Sequence, residues 1–70
     1  MRYAIVIENA DGNYSAYVPD LPGCVATGST VGEVEAEMRE AIAFHLEGLR
    51  EDGLLVPAAS SQVEYIDIPA

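Results

Sequence analysis

One long amphipathic helix with strong boundaries constrains this chain most. Thr30 is suited to cap its start, and Glu33 three residues later completes a capping box. Gly53 stands where a left-handed residue ends a helix, and Pro57 prevents it from resuming. Between these limits Val31, Val34, Met38, Ala41, Ile42, His45 and Leu49 recur at helical spacing as one apolar stripe, with Leu46 at its margin. Glu33, Glu37, Glu40, Glu47 and Glu51 occupy the opposite side. In a chain of 70 residues such a helix leaves room only for short strands, which must pack on its apolar stripe.

The strands are legible in order. Tyr3 to Ile7 is an unbroken apolar run, the pattern of a strand buried on both faces, with Tyr3, Ile5 and Ile7 pointing one way and Ala4 and Val6 the other. Asp11-Gly12 is a hairpin signal, here read within a slightly longer loop from Asn9 to Asn13. Tyr14 to Val18 follows, with Tyr14, Ala16 and Val18 on one face, and Pro19 ends it. Pro22-Gly23 predicts a type II turn: proline pre-sets φ at the first central position and glycine accepts a positive φ at the second. Pro19, Pro22 and Gly23 are thus read as a structural turn. A short strand from about Cys24 to Thr27 leads to the helix, and Val63 to Ile68 reads as a last strand closed by Pro69. The order is β-β-β-α-β, an α+β arrangement. Three strands form an antiparallel meander. The fourth returns by a right-handed crossover to lie parallel beside the first, giving a four-stranded mixed sheet with one helix on one face. The uncovered face keeps apolar side chains, which a second chain is expected to cover.

Size and charge narrow the function. Seventy residues make a single domain, 1–70, and a core below roughly 70–80 residues seldom stabilises a fold by more than about 3–5 kcal/mol unaided. One cysteine forms no internal disulfide, and one histidine with one cysteine makes a poor metal set, so no metal or cofactor is expected. A partner chain is the remaining supplement, and a homo-oligomer is expected. Three arginines, no lysine and twelve carboxylates give a net charge of −9. That surface repels phosphate backbones and favours a basic protein partner over nucleic acid. The apolar stretch at the start is too short for a signal peptide or a membrane span, so a cytoplasmic protein without membrane contact is expected.

Few residues carry chemistry. Phe44 falls among Glu37, Glu40, Glu47 and Glu51 on the acidic side of the helix, where no core can receive it. An aromatic ringed by polar groups is a common interface anchor, and these five residues are the candidate partner-binding face. Glu51 and Asp52 lie at the negative end of the helix dipole, which a basic partner would relieve and Arg50 offsets in part. His45 is read as a buried, hydrogen-bonded packing residue, and Cys24 as a small hydrophobe. A metal-dependent nuclease would require carboxylates such as Glu8, Glu35 and Asp67 to converge, but Asp67 shares a strand face with Tyr65.

Taken together, several stretches resemble the HicB-like antitoxin family: Tyr3-Ala4-Ile5-Val6-Ile7-Glu8, Tyr14 to Val18 with the turn Pro19-Asp20-Leu21-Pro22-Gly23-Cys24, Ala26-Thr27-Gly28, Glu40-Ala41-Ile42, His45 to Leu49, Asp52-Gly53 and Val56-Pro57. The resemblance spans almost the whole chain. It implies a partial RNase H-like β-β-β-α-β unit. It also implies a partner, a small basic HicA-like toxin that cleaves mRNA and whose active site the antitoxin covers. Many members carry a C-terminal DNA-binding domain. The sequence stops just past the last strand, so operator binding through its own contacts is not expected. The alternatives are an orphan oligomeric structural or regulatory module without a toxin, and a weak metal-dependent nuclease.

Overall fold

The computed structural model describes residues 1–69. It contains β1 (Val6–Ala10), β2 (Asn13–Tyr17), β3 (Val25–Gly28) and α1 (Val31–Glu51). The strands form one antiparallel sheet in the order β1-β2-β3. The architecture is α+β, with three strands and one helix.

The β1–β2 hairpin is tighter than the sequence suggests. Ala10 pairs with Asn13, so the loop is only Asp11 and Gly12, with φ of 48° and 79°. Two consecutive positive φ values make a type I′ turn, whose twist matches that of the flanking strands. The register places Ile7, Ala16 and Ala26 on one face and Val6, Tyr17 and Val25 on the other. The first set faces α1, as the alternation implies.

The first strand begins later than the apolar run does. Pairing starts at Val6, opposite Tyr17. Beyond Tyr17 the chain turns away, and the Val18 N–H donates instead to the Cys24 carbonyl (3.2 Å). Tyr3 to Ile5 therefore lack a sheet partner.

The segment between β2 and β3 is built as two hydrogen-bonded turns. Leu21 N–H donates to the Val18 carbonyl and Cys24 N–H to the Leu21 carbonyl, both at 3.1 Å. Gly23 has φ of 82°, the left-handed value a type II turn requires after Pro22. The turns drive Leu21 inward, where it is 0% exposed. It shares the core with Ala16, Val18, Cys24, Val34, Met38 and Leu46.

The helix is held closely at both ends. Thr30 Oγ1 accepts from Glu33 N–H at 3.0 Å. The return bond of the capping box goes elsewhere: Glu33 Oε2 accepts from the Ser29 hydroxyl at 2.6 Å. At the far end Gly53 (φ 68°) donates to the Arg50 carbonyl and Leu54 N–H to the Leu49 carbonyl (2.9 Å), which satisfies carbonyls the last turn leaves open. Gly28 allows the sheet to approach α1: a Cβ there would lie 2.8 Å from the backbone nitrogen of Val34. The stripe is rotated slightly from its expected centre. Leu46, read as marginal, is in the core, whereas Val31 at the first helical position is exposed.

The expected fourth strand is not present. Residues 63–68 adopt neither strand nor helix, and the sheet has three strands instead of a mixed four. The path of the preceding segment explains this. Tyr3 Oη donates to the Pro57 carbonyl, and Ser60 and Ser61 bond to Asp20, so the chain is pinned through Ser61. Beyond it residues 61–64 lie beside Arg2, Tyr3 and Ala4 without pairing, and Tyr65, Ile66 and Ile68 are exposed. The molecule is accordingly long, 49 × 25 × 17 Å, although a 21-residue helix accounts for only about 32 Å.

Leu21→Ala is expected to lower unfolding free energy by about 2–5 kcal/mol, the range for truncating a fully buried leucine. Leu55→Ala, at a site 93% exposed, should change it by less than about 0.5 kcal/mol. Urea denaturation of both variants checks this.

Candidate functional site

The outer face of α1 is arranged as its periodicity implies. Glu37, Glu40, Phe44, Glu47 and Glu51 are all exposed, and steps of three and four residues align them along about 21 Å of helix. Phe44 is 80% exposed, an aromatic ring standing among carboxylates. This face offers hydrogen-bond acceptors, negative charge and one apolar contact. It suits recognition of cations beside an apolar pocket.

Other candidates are placed differently. Cys24 is buried, and burial pushes its thiol up, so its sulfur is a packing group. His45 is half-buried beside the core. Among the described residues no group of three or more His, Cys, Asp or Glu could hold a metal ion, so Glu8, Glu35 and Asp67 are not brought together as one.

Two further surfaces lie apart from this face: the uncovered sheet face, which the sequence led us to expect, and a groove, which it did not. The sheet face away from α1 exposes Tyr17 and Val25 beside Val6. On the other side, α1 packs chiefly on β3 and then β2, and reaches β1 least. An open groove of about 530 Å³ results, lined by Tyr3 and Ile5 from the segment before β1, by Ile7 of β1 and by Met38 and Ile42 from the helix, with Arg2, Glu35 and Arg39 also at its walls.

The sequence and the fold match known proteins. The family described as HicB-like antitoxin of bacterial toxin-antitoxin system matches residues 3–70. This chain belongs to the HicB-like antitoxin family. Its structure is similar to the crystal structure of the N-terminal domain of the Burkholderia pseudomallei antitoxin HicB, with a TM-score of 0.73 and 37% identity, over 83% of this chain and 69% of that one. It is 41% identical over 69 residues to a 14.9 kDa protein of the rep-hol intergenic region of Haemophilus phage HP1, covering 99% of this chain. The HicB-like chain spans only 52% of that phage protein's length. A UPF0150 protein of Thermoplasma acidophilum is 33% identical over 63 residues, 89% of this chain and 91% of that protein. No helix among the described residues is long and apolar enough to cross a membrane.

The polar contact that best organises the HicB-like surface lies in the turn. Asp20 accepts from Ser60 N–H (3.0 Å), Ser61 N–H (2.9 Å), the Ser61 hydroxyl (2.8 Å) and the Ser60 hydroxyl (3.2 Å). The Ser61 backbone and hydroxyl bonds hold its carboxyl below the usual value, desolvation opposes them, and the weaker bonds of Ser60 add to the lowering. The signal in the sequence is an Asp locked between Pro19 and Pro22 and a distant Ser-Ser pair, but nothing local connects them.

A carboxyl with a depressed folded-state pKa favours the pinned arrangement above its ordinary value near pH 4, and that contribution is lost as pH falls through the lowered one. The amides of Ser60 and Ser61 are therefore expected to exchange with solvent faster in Asp20→Ala, as measured by hydrogen exchange. Lowering the pH through that depressed value, below the ordinary carboxylate range, should detach the same segment in the parent chain while the helix signal in circular dichroism persists.

Proposed function

We propose that this protein is a non-enzymatic antitoxin that binds a small basic HicA-like ribonuclease toxin and covers its RNA-binding active site, needing no cofactor. The observation that carries the reading is Phe44, exposed at the centre of a carboxylate-lined helical face. A ribonuclease must present cations to the phosphate backbone of its substrate. A helix carrying Glu37, Glu40, Glu47 and Glu51 offers those cations an alternative partner, and the Phe44 ring supplies the desolvated anchor such contacts need. Family membership supports a toxin partner in general. The net charge of −9 supports fast, steered association with a basic one. The toxin's mRNA substrate places both proteins in the cytoplasm in this reading.

Charge and anchor should separate kinetically. Glu40→Lys combined with Glu47→Lys is expected mainly to slow association and to flatten its salt dependence. Phe44→Ala is expected mainly to speed dissociation, by about 1–3 kcal/mol in binding free energy. Neither should shift the thermal midpoint appreciably, since all three sites are exposed. Surface plasmon resonance against the cognate toxin at two salt concentrations, with melting curves alongside, measures both effects. Unchanged rates would move the interface to the open sheet face around Tyr17 and Val25.

A further inference from the structure

We infer that Phe44 and Gly48 together form a seat for an arginine of the basic partner, its guanidinium stacked on the ring and its charge met by the neighbouring carboxylates. The inference rests on the reading of this face as the toxin-binding one, and it names the contact at the centre of that face.

Gly48 is the observation that carries it. Glycine is a poor helix former, yet Gly48 lies inside α1, five residues past Ala43 and three before Glu51. Two ordinary reasons for a glycine are absent. The glycines with positive φ are Gly12, Gly23 and Gly53, so Gly48 keeps helical backbone that any residue adopts. A Cβ at Gly48 would meet nothing within 4 Å among the described residues, in contrast to Gly28, where one would strike the Val34 backbone. Gly32, the other glycine of α1, stands in the first turn, with no earlier turn of helix for a side chain to cover. What the bare position changes is the surface one turn back. A helical side chain leans toward the N-terminus and covers the turn before its own Cα. Four residues before Gly48 stands Phe44, 80% exposed.

Helical phase divides the surroundings of the ring. At about 100° per residue, Glu40, Glu47 and Glu51 fall within about 60° of Phe44 on one side. Gly48 and Ala41 fall within about 60° on the other, so that flank is built from a hydrogen and a methyl. The chain's own cations on the helix, Arg39 and Arg50, lie about 120–140° away. The ring thus has carboxylates along one side, an open flank along the other, and no cation of its own helix within reach.

This arrangement selects a guanidinium. The face of an aromatic ring attracts a cation, and the attraction grows as water is excluded. Arginine is planar and weakly hydrated, so it stacks flat on a ring while its N–H groups reach carboxylates at the edge. The ammonium of lysine is compact and strongly hydrated, and it uses the carboxylates without needing the open flank.

The probes are nona-arginine and nona-lysine peptides, and a basic HicA-like toxin. Added to the chain, nona-arginine is expected to move the Phe44 ring resonances in NMR, with its own methylene protons shifted upfield by the ring; nona-lysine should move them less. Gly48→Leu should abolish these ring shifts. Against the toxin in surface plasmon resonance, Gly48→Leu should raise Kd about 5- to 30-fold, the change equivalent to losing a cation–π contact. Gly48→Ala should raise the melting midpoint by about 4–8 °C, because a better helix former enters open space, and Gly48→Leu should not melt below the parent. Toxin binding unchanged in Gly48→Leu overturns the inference and leaves the toxin reading standing. Ring resonances that nona-arginine leaves unmoved, or that nona-lysine moves equally, overturn it as well. A parent chain that binds no basic toxin overturns the toxin reading; the seat then stands only if the ring shifts are arginine-specific and lost in Gly48→Leu.

Discussion

Burial of the Leu21 side chain is the contact on which the rest of this structure depends. It comes from a turn, where backbone geometry is set by two prolines and a glycine, and not from a strand or the helix. Two successive turns close on the carbonyls of Val18 and Leu21 and leave the leucine pointing into the space between sheet and helix. Val34 and Met38, the other fully enclosed side chains, belong to the first two turns of α1. The neighbouring Asp20 points outward and captures Ser60 and Ser61. One short segment thus supplies the core beneath the helix and fixes where the chain leaves the body after it.

The charge distribution follows the same division. The carboxylates of α1 stand away from the core, and Glu33 is tied to Ser29 at the positive end of the helix dipole. At the opposite end Glu51 and Asp52 meet the unfavourable end of the dipole, and Arg50 is the basic residue of that turn. The remaining arginines, Arg2 and Arg39, sit together at the open groove. A chain with a large negative excess has therefore gathered two of its few positive charges at one place, while its outer helical face stays uniformly acidic apart from one aromatic ring.

Most of the helix and sheet was legible because the signals are local. Thr30, Glu33 and Gly53 act within one turn of themselves, and they bound α1 to within a residue. Alternation in Tyr14–Val18 assigned faces correctly because the register is pinned by the Asp11-Gly12 turn. The exposure of Phe44 and its carboxylate neighbours followed from helical periodicity alone. What failed was non-local. Val63–Ile68 has the composition of a strand, but a strand exists only where an edge receives it, and no strand of the sheet pairs with this segment. Leu21 was hidden because its neighbours mark a turn, and turns are read as surface. The groove was hidden because it arises from the seating of α1 over β3, which Gly28 permits and no periodicity reports.

The seating of each element on its neighbour in chain order bears on how the molecule is made. β1 pairs with β2, β2 with β3, and β3 receives the helix that follows it. Such sequence-local pairing closes short loops and favours rapid folding. The three strands and the helix are complete at Gly53, and residues 54–69 add to them the hydrogen bond from the Leu54 amide to Leu49, the packing of Val56 against the core and the contacts of Pro57, Ser60 and Ser61. The acidic helical face belongs to these elements, so its shape needs nothing from the segment that follows the helix.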